Sequence, residues 1–549
     1  MKALMNTRIR FVLTILLGLW LFATVINLNK AYHIDDTVHL EIAQWILQNP
    51  LHPMSGKINW GQNADSIYLL NQPHLYFYLL AAWGFLFGFS EIAMHVFQSL
   101  FTFACILFIY LIARLIIPKH ALFLTALLTL SPAFVVGQNL MVDVPLLFLW
   151  LAFYYLLIKP RVKSETQRFL LVGFIAGCAC LVKYTSVPLV LVMLVSVVIK
   201  KKLNLIWTIG IPIGMLILWS CFNYLDYGSI HILGRSSPPF SLKSLLDMGL
   251  AWLVGLGSIL PYSPFFFGNL WHTKKKLHLF IQIMLILILL SSALIFFGAY
   301  IGKLDDSITS KYLLSLFLGN GIAVALLLLH EFKRNFGEFF VEANYSILIL
   351  YLWIFSGALF IIFFSPFMAT RHILLVIVPI TLLLAHFIVT HLSVFWSATA
   401  VLLSILLTLA LGISDRTWAN YYREKAALIK SELPNKANIY FTGHYGWQWY
   451  AKQNGMKQLE ALNPQIQAGD YLVHADYILR QRLDKIPPNL HLEVVKEYTD
   501  PPNGLTFFKT ARFYRNSFKK LPWTINWHPF DKIVVYQVQT IDGWLQSDE

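Results

Sequence analysis

The chain has 549 residues, of which 57% are hydrophobic, 15% aromatic and only 13% charged, and its formal net charge is +14. Soluble domains carry about 25% charged residues, so this composition excludes an ordinary soluble enzyme, a disordered chain and a disulfide scaffold. Apolar segments close to the about 20 residues needed to cross a bilayer recur between Phe11 and Leu411, which predicts a polytopic α-helical membrane protein.

Basic residues cluster in short loops between the apolar segments, so the positive charge indicates membrane topology rather than nucleic-acid binding. Three of them within the first ten positions predict a cytoplasmic N-terminus and an uncleaved first span. Residues 74–90 are also apolar, but a crossing there would put the basic residues Arg114 and Lys119 outside. Because 74–90 is rich in Tyr and Trp, we predict that it lies along the outer surface as an interfacial helix.

The remaining apolar segments predict about thirteen spans and place the C-terminus outside the cytoplasm. The spans are 11–28, 93–115, 120–137, 143–158, 168–182, 184–199, 204–222, 246–268, 278–300, 312–330, 344–364, 372–390 and 393–413. Residues 1–413 are thus predicted to form a transmembrane catalytic domain, with interfacial helices in an outer loop at 29–92.

The pattern changes at Ser414, after which charged and amide residues become frequent. Short β-like segments occur at 439–442, 471–474 and 533–538, and they alternate with helical stretches such as 418–431. We therefore predict a small α/β domain at 414–549 on the outer side of the membrane.

The first outer loop carries two adjacent carboxylates, Asp35 and Asp36. Apolar residues follow at helical spacing, which predicts an amphipathic helix on the membrane with the acidic pair at its start: Val38, Ile42, Trp45 and Ile46. One carboxylate can serve simply as an N-cap. Two carboxylates beside a membrane can equally serve as a general base and a positioning acid.

Three further charged residues are predicted on the outer side. Asp143 opens a span two residues before Pro145, which is typical of a helix cap but still adds a third carboxylate. Lys183 stands at the outer end of its span, where it either extends its amine to the interface or binds an anion. Arg371 stands where orientation favours no basic residue, and its guanidinium can bind a phosphate in bidentate fashion.

No P-loop, HExxH, GxSxG or CxxC motif is present to indicate another chemistry. Four histidines in outer segments have no metal-ligand spacing: His33, His39, His74 and His231. We therefore predict no cofactor, with a divalent metal conceivable but unsupported by a motif.

Taken in order, these segments resemble the GT-C fold glycosyltransferases that use lipid-linked sugars. The narrower resemblance is to glycosyltransferase family 39, the superfamily of the protein O-mannosyltransferases and the aminoarabinose lipid A transferase. The similar segments are Asp35-Asp36-Thr37-Val38-His39, Asn71-Gln72-Pro73-His74, Phe87-Gly88-Phe89-Ser90-Glu91, Met141-Val142-Asp143-Val144-Pro145-Leu146, Leu181-Val182-Lys183-Tyr184-Thr185 and Arg371-His372-Ile373-Leu374-Leu375. The chain departs from the aminoarabinose transferases at Asn71-Gln72-Pro73, where they have Glu-Lys-Pro, and at Val38, where they have Arg.

The resemblance implies an inverting transferase that moves a sugar from a polyprenyl-phosphate donor to a lipid or protein hydroxyl. In this interpretation Asp35 or Asp36 is the general base, Asp143 positions the base or a donor hydroxyl, and Lys183 and Arg371 bind the donor phosphate without a metal. The expected partners are the donor, a lipid A, glycolipid or protein acceptor, and membrane lipids, with no nucleic acid. The compact loops favour the bacterial inner membrane over the endoplasmic reticulum.

Two alternatives remain. A protein O-mannosyltransferase-type enzyme differs only in its acceptor. A secondary transporter also has many spans and intramembrane charges, but it usually consists of two related halves, and no half-to-half similarity is evident here.

Overall fold

The computed structural model describes residues 2–70, 72–159, 163–235, 241–264, 290, 294, 297–298, 301, 306–338, 344–365, 367–388, 393–462, 464–476, 478, 481, 483, 486–499, 513–514, 521–525 and 529–540. Most of the predicted span 278–300, together with Asn71 of the motifs above, lies outside these residues.

Helices dominate the described part of the chain. They are α1 (Lys2–Val25), α2 (Asp36–Gln48), α3 (Leu75–Phe87), α4 (Glu91–Ile116), α5 (Ala121–Thr129), α6 (Pro132–Val136), α7 (Asp143–Ile158), α8 (Glu165–Val182), α9 (Pro188–Ile199), α10 (Gly210–Tyr227), α11 (Leu242–Ile259), α12 (Asp306–Asn335), α13 (Tyr345–Phe364), α14 (Thr370–Ile388), α15 (Val394–Glu432) and α16 (Tyr445–Gln453). The strands are β1 (Lys57–Asn59), β2 (Ala64–Ser66), β3 (Ile439–Thr442), β4 (Lys457–Gln458), β5 (Tyr471–Ala475), β6 (Leu490–Thr499) and β7 (Lys532–Thr540).

Seven of the described helical segments are long and apolar enough to cross a membrane: Glu91–Ile116, Glu165–Val182, Leu203–Tyr227, Leu242–Ile259, Ser307–Asn335, Tyr345–Phe364 and Val394–Glu432. Shorter apolar helices stand at the predicted spans 11–28, 143–158, 184–199 and 372–390 and at the predicted interfacial helix, now α3. The prediction of a polytopic helical membrane protein with a small C-terminal α/β part is confirmed. The total of about thirteen crossings stays a prediction, as does the sidedness.

The predicted span 120–137 is wrong as one continuous helix. It consists of α5, with nine residues, and α6, with five, and Ser131 between them is extended. The cause is Pro132, which has no N–H to continue the α-helical bonds and disfavours a helical conformation in the preceding residue. At about 1.5 Å per residue, α5 is only about 14 Å long, so it does not cross a bilayer alone.

The C-terminal part folds around a five-stranded sheet with the order β4-β3-β5-β7-β6. β3 is parallel to β4 and β5, whereas β7 is antiparallel to β5 and β6. The three predicted strands at 439–442, 471–474 and 533–538 are confirmed as β3, β5 and β7. The predicted helix 418–431 is the final part of α15.

The membrane helices and the sheet share one apolar core, which includes Phe134, Trp150 and Leu374 of the helices and Phe441 and Val473 of the strands. α15 runs for 39 residues through the predicted domain division at 413/414. The sheet therefore packs directly on the helical part, beside the loop that carries Asp35.

Candidate active site

Asp35 stands at the start of α2, in the position of the N-cap, but its side chain makes no capping hydrogen bond. Its carboxylate instead lies 3.0 Å from Nη1 of Arg371, and about a quarter of the side chain is exposed. The cap interpretation of Asp35 is therefore wrong. The carboxylate is held at the wall of a cavity.

Asp36 has the opposite environment, because its side chain is completely buried. Its Oδ2 accepts a 2.8 Å hydrogen bond from the backbone N–H of His33. Burial raises the pKa of this carboxyl to about 7. Of the two acids, Asp36 is the one that ties down the local backbone.

Asp143 and Lys183 form an ion pair with 2.9 Å between Nζ and Oδ1, and both side chains are largely buried. Asp143 is the first residue of α7 and makes no capping bond there, so the cap interpretation is wrong for this residue too. Lys183 follows α8 in an extended conformation, which turns its amine toward Asp143 rather than along the helix axis. The structure thus contradicts the idea that Lys183 merely extends its amine to the interface.

Arg371 joins the two acids. Besides its contact with Asp35, its Nε lies 3.7 Å from Oδ2 of Asp143. The order of charges is therefore Asp35, Arg371, Asp143 and Lys183, in a continuous chain drawn from four separate parts of the sequence. Four of the five predicted site residues meet, and only Asp36 points away.

The start of α14 is fixed from the C-terminal part of the chain. Both the backbone N–H and the hydroxyl of Thr370 donate to the carbonyl of Phe513, at 3.2 and 2.7 Å. Because Arg371 is the next residue, this pair of hydrogen bonds sets the position from which its guanidinium extends.

Two cavities meet at Arg371. The first, which we name the Asp35 cavity, has a volume of about 250 Å³ and is lined by Asp35, His39, Trp60, Phe77, Tyr445 and Tyr514 among others. The second, the Lys183 cavity, has about 360 Å³ and is mostly apolar, with Lys183, Arg235 and His372 among its polar residues. Gln72, Phe367 and Arg371 line both.

Several lining residues were not predicted from the sequence. Arg235 donates to the carbonyl of Leu70 at 3.2 Å and adds a third cation to the Lys183 cavity. Tyr445 and Tyr514 come from the C-terminal part. Of these residues, His39 is the one whose position the local sequence indicates, because it lies one helical turn after Asp35.

The four histidines considered for a metal are not brought together. His33 lies beside Asp415, His39 contacts the carbonyl of Leu140, and His231 contacts Tyr184 and the carbonyl of Leu70, while His74 is buried. Within the described part of the chain no three His, Cys, Asp or Glu side chains are grouped so that they could hold a metal ion. Metal independence stays a prediction.

A family profile described as dolichyl-phosphate-mannose-protein mannosyltransferase matches residues 71–223. This segment includes Gln72, Asp143 and Lys183. The match confirms the predicted resemblance to the protein O-mannosyltransferase superfamily over this part of the chain. No curated protein sequence matches the chain.

The structure is similar to ArnT from Cupriavidus metallidurans at 12% sequence identity, over 96% of this chain and 98% of that one. The TM-scores are 0.45 for its apo state and 0.43 for its complex with undecaprenyl phosphate. It is also similar to the oligosaccharyltransferase AglB from Archaeoglobus fulgidus, in complex with an inhibitory peptide and a dolichol-phosphate. That likeness has 10% identity and a TM-score of 0.43, over 84% of this chain and 69% of AglB.

Proposed function

We propose that this protein is an inverting membrane glycosyltransferase that transfers a sugar from a polyprenyl-phosphate donor to a hydroxyl acceptor. The observation that carries the proposal is the position of Arg371, which contacts Asp35 and Asp143 and lines both cavities. A carboxylate on one side of this arginine and a cationic, apolar cavity on the other suit an acceptor and a lipid phosphate, respectively.

Asp35 acts as the general base in this mechanism. It takes the proton from the acceptor hydroxyl while the oxygen attacks the anomeric carbon of the donor. The bond between that carbon and the phosphate oxygen breaks, and the electron pair leaves with the polyprenyl phosphate. A single displacement of this kind inverts the anomeric configuration, and the base contributes about 10²–10⁴ in rate.

The Lys183 cavity holds the donor phosphate. Three cations line this cavity: Lys183, Arg235 and Arg371. Two carboxylates, Asp35 and Asp143, pair with Arg371 and Lys183, so the five groups together carry a formal excess of one positive charge. A sugar phosphodiester carries one negative charge and the leaving phosphate gains a second. Fixed cations at this place stabilise the charge as it develops, without a divalent ion.

The contact between Arg371 and Asp35 couples donor binding to the base. A phosphate in the Lys183 cavity competes with Asp35 for the guanidinium, and a carboxylate released from this ion pair is free to accept the hydrogen bond of the acceptor hydroxyl. Asp143 keeps Lys183 and Arg371 in place during this exchange. The base is therefore activated when the donor is bound.

The acceptor in this proposal is a lipid, such as lipid A or another glycolipid, or a protein hydroxyl, as in a protein O-mannosyltransferase. We place the site on the outer face of a bacterial inner membrane, where the loop 29–92 and the sheet lie in the predicted topology.

The test uses the purified protein in nanodiscs with radiolabelled polyprenyl-phosphate sugars and an extract of membrane lipids and proteins. We expect the wild type to move label to an acceptor and the variants Asp35→Asn and Arg371→Ala to fail. The labelled band distinguishes a lipid from a protein acceptor. If no donor is consumed and the protein instead moves a solute in a way that depends on the same residues, the secondary-transporter alternative replaces the proposal.

A further inference from the structure

The backbone around the Asp35 cavity is strained at two points that are distant in sequence. Three non-glycine residues of the described chain have a positive φ, and two of them, Ile34 (52°) and Tyr445 (59°), line this cavity. A β-branched or bulky residue rarely adopts this conformation, and glycine does so at lower cost. Strained residues tend to cluster at binding and catalytic sites, where the surrounding structure holds them in place.

The backbone at Tyr445 is held from the loop that carries Asp35. The hydroxyl of Thr37 donates to the carbonyl of Tyr445 at 2.7 Å. A Cβ on Gly446 would lie 2.1 Å from the carbonyl oxygen of Tyr32, so the chain passes too close for any other residue there. These contacts require a tight turn but no aromatic ring at position 445.

The ring of Tyr445 lies at the Asp35 cavity beside Trp60. Their ring centroids are 6.0 Å apart, and both side chains are only partly buried. Trp60 also contacts His444, which bonds to the carbonyl of Gly61 at 2.8 Å. An aromatic wall built from the outer loop and the C-terminal sheet domain thus faces the carboxylate.

The cavity also offers an unused hydrogen-bond acceptor. Gln72 lines this cavity, and its buried Oε1 has no hydrogen-bond partner among the residues that the structure describes. Buried polar atoms are normally satisfied, so an unpaired oxygen at a cavity wall indicates a ligand that donates a hydrogen bond. A hydroxyl group is such a donor. Because it is uncharged, the neutral amide can bind it without an ionic partner.

We propose that the Asp35 cavity is an acceptor subsite for a saccharide ring, with Tyr445 and Trp60 as its stacking residues. This inference rests on the proposed glycosyl transfer and narrows its acceptor to a carbohydrate hydroxyl. A pyranose packs its C–H faces on aromatic rings and donates hydroxyl hydrogens to amide and carboxylate oxygens. The cavity of about 250 Å³ is at the small end for ligand pockets, which suits one ring rather than a peptide segment.

The C-terminal domain therefore selects the acceptor. Tyr445 begins α16 and is separated from β3 by two residues, so the C-terminal domain supplies one wall of the subsite. A glycine at position 445 would relieve the backbone strain, but it would also remove the aromatic ring from the cavity.

The experiment compares full-length wild type with Tyr445→Phe, Tyr445→Gly and Trp60→Ala, and with Trp207→Ala as control. Trp207 is more than half exposed and does not line either cavity. The acceptors are a panel of alkyl glycosides and a pool of Ser/Thr peptides, titrated against a radiolabelled polyprenyl-phosphate sugar. Binding of the same glycosides is measured without donor by saturation-transfer NMR.

We expect wild type, Tyr445→Phe and Trp207→Ala to use a glycoside with similar KM. Tyr445→Gly and Trp60→Ala should raise the glycoside KM at least tenfold, leave the donor KM within twofold and lose the NMR signal. Tyr445→Gly should unfold at the same temperature or higher, which separates its effect from misfolding.

Three results would overturn the proposed subsite. They are an equal glycoside KM in all variants, a parallel rise in the donor KM, and transfer to the peptides only. Failure of the proposed function gives a different result, because the wild type then consumes no donor. The NMR comparison still decides the subsite in that case, since it requires no turnover: glycoside binding sensitive to Tyr445→Gly supports it, and insensitive or absent binding refutes it.

Discussion

Neighbouring carboxylates at the start of α2 have opposite environments. Successive residues on a helix point about 100° apart, so the two side chains leave the backbone in different directions, and of the pair it is Asp35 that lines the Asp35 cavity. Asp35 contacts Arg371 there, whereas Asp36 turns inward and accepts a backbone hydrogen bond. The two residues are therefore expected to differ in function despite identical chemistry.

Replacing each acid with asparagine separates the two functions. We expect Asp35→Asn to lower kcat for transfer by about 10²–10⁴, because the amide cannot take the acceptor proton. Asp36→Asn should retain most of the turnover, since the amide oxygen can still accept from the N–H of His33. Rates measured at saturating donor check this, and equal losses in both variants would contradict it.

The raised pKa of Asp36 also predicts that the stability of the folded protein depends on pH. Burial raises its pKa to about 7, so the folded state keeps a proton that the unfolded chain releases above about pH 4. The contribution of Asp36 to stability therefore falls as the pH rises toward 7, by at most about 1.4 kcal/mol per pH unit.

Thermal unfolding between pH 5 and 8 measures this effect against Asp36→Asn, which cannot titrate. The advantage of the wild type over the variant should shrink with rising pH and become constant above about 7. A difference that stays constant over this range would mean that Asp36 is charged in the folded protein, because the carboxyl is then ionised in both states.

The chain of charges from Asp35 to Lys183 predicts that no metal is needed. Lys183 and Arg371 already place two cations beside Asp143, where a divalent ion would otherwise neutralise a phosphate. We expect transfer to continue at full rate in EDTA. Loss of activity in EDTA, with recovery on adding Mg²⁺ or Mn²⁺, would show that the cations are insufficient.

At the scale of elements, the start of α14 depends on a contact far along the chain. The carbonyl of Phe513 accepts two hydrogen bonds from Thr370, and Arg371 follows directly. The first N–H groups of a helix have no partner within the helix, so an external carbonyl or side chain must satisfy them. Here that partner also orients a residue of the site.

Removing one of these bonds should affect the site more than the fold. Thr370→Val keeps the shape and the backbone N–H but loses the hydroxyl bond, worth about 0.5–1.5 kcal/mol. We expect kcat/KM to fall by up to about tenfold by the same arithmetic. Thr399→Val on α15 is the matched control, because its exposed hydroxyl bonds to the carbonyl of Phe395 in its own helix. Similar kinetics in the two variants would exclude a role for the Phe513 contact in positioning Arg371.

At the scale of the whole molecule, the C-terminal part is joined to the membrane helices by buried polar contacts. The hydroxyl of Tyr514 donates to Asp415 at 2.8 Å and accepts from Asn139 at 3.0 Å. Asp415 also pairs with the fully buried Lys30, and Nε1 of Trp523 donates to the carbonyl of Ser258 on α11. The sheet is therefore part of the site rather than an appended domain.

Removing a single hydroxyl group tests the coupling between the C-terminal part and the membrane helices. Tyr514→Phe keeps the ring that lines the Asp35 cavity but removes both hydrogen bonds. Since the bond to Asp415 involves a charged group, worth about 1.5–3 kcal/mol, we expect lower thermal stability and slower transfer. Tyr440→Phe serves as control, because its hydroxyl bonds only to the carbonyl of Gln465 within the C-terminal part. Equal effects of the two substitutions would show that the domains are not coupled through Tyr514.

Much of the architecture follows from local sequence. Apolar length predicts the spans, aromatic content predicts an interfacial position for α3, and alternation predicts β3, β5 and β7, because burial in lipid or in a sheet acts on consecutive residues. The break between α5 and α6 was missed although Pro132 is local, since the apolar run continues across it.

The sequence by itself determined the class of protein and singled out four charged residues that the structure brings together, Asp35, Asp143, Lys183 and Arg371, because charge is costly in a membrane and stands out there. Only the tertiary structure decided which acid faces the cavity and which groups pair. It also decided that Tyr445 and Tyr514 line one cavity with Asp35, from which both are more than 400 residues away in the chain. Those outcomes depend on packing between distant segments, and no local pattern of residues encodes which segments meet.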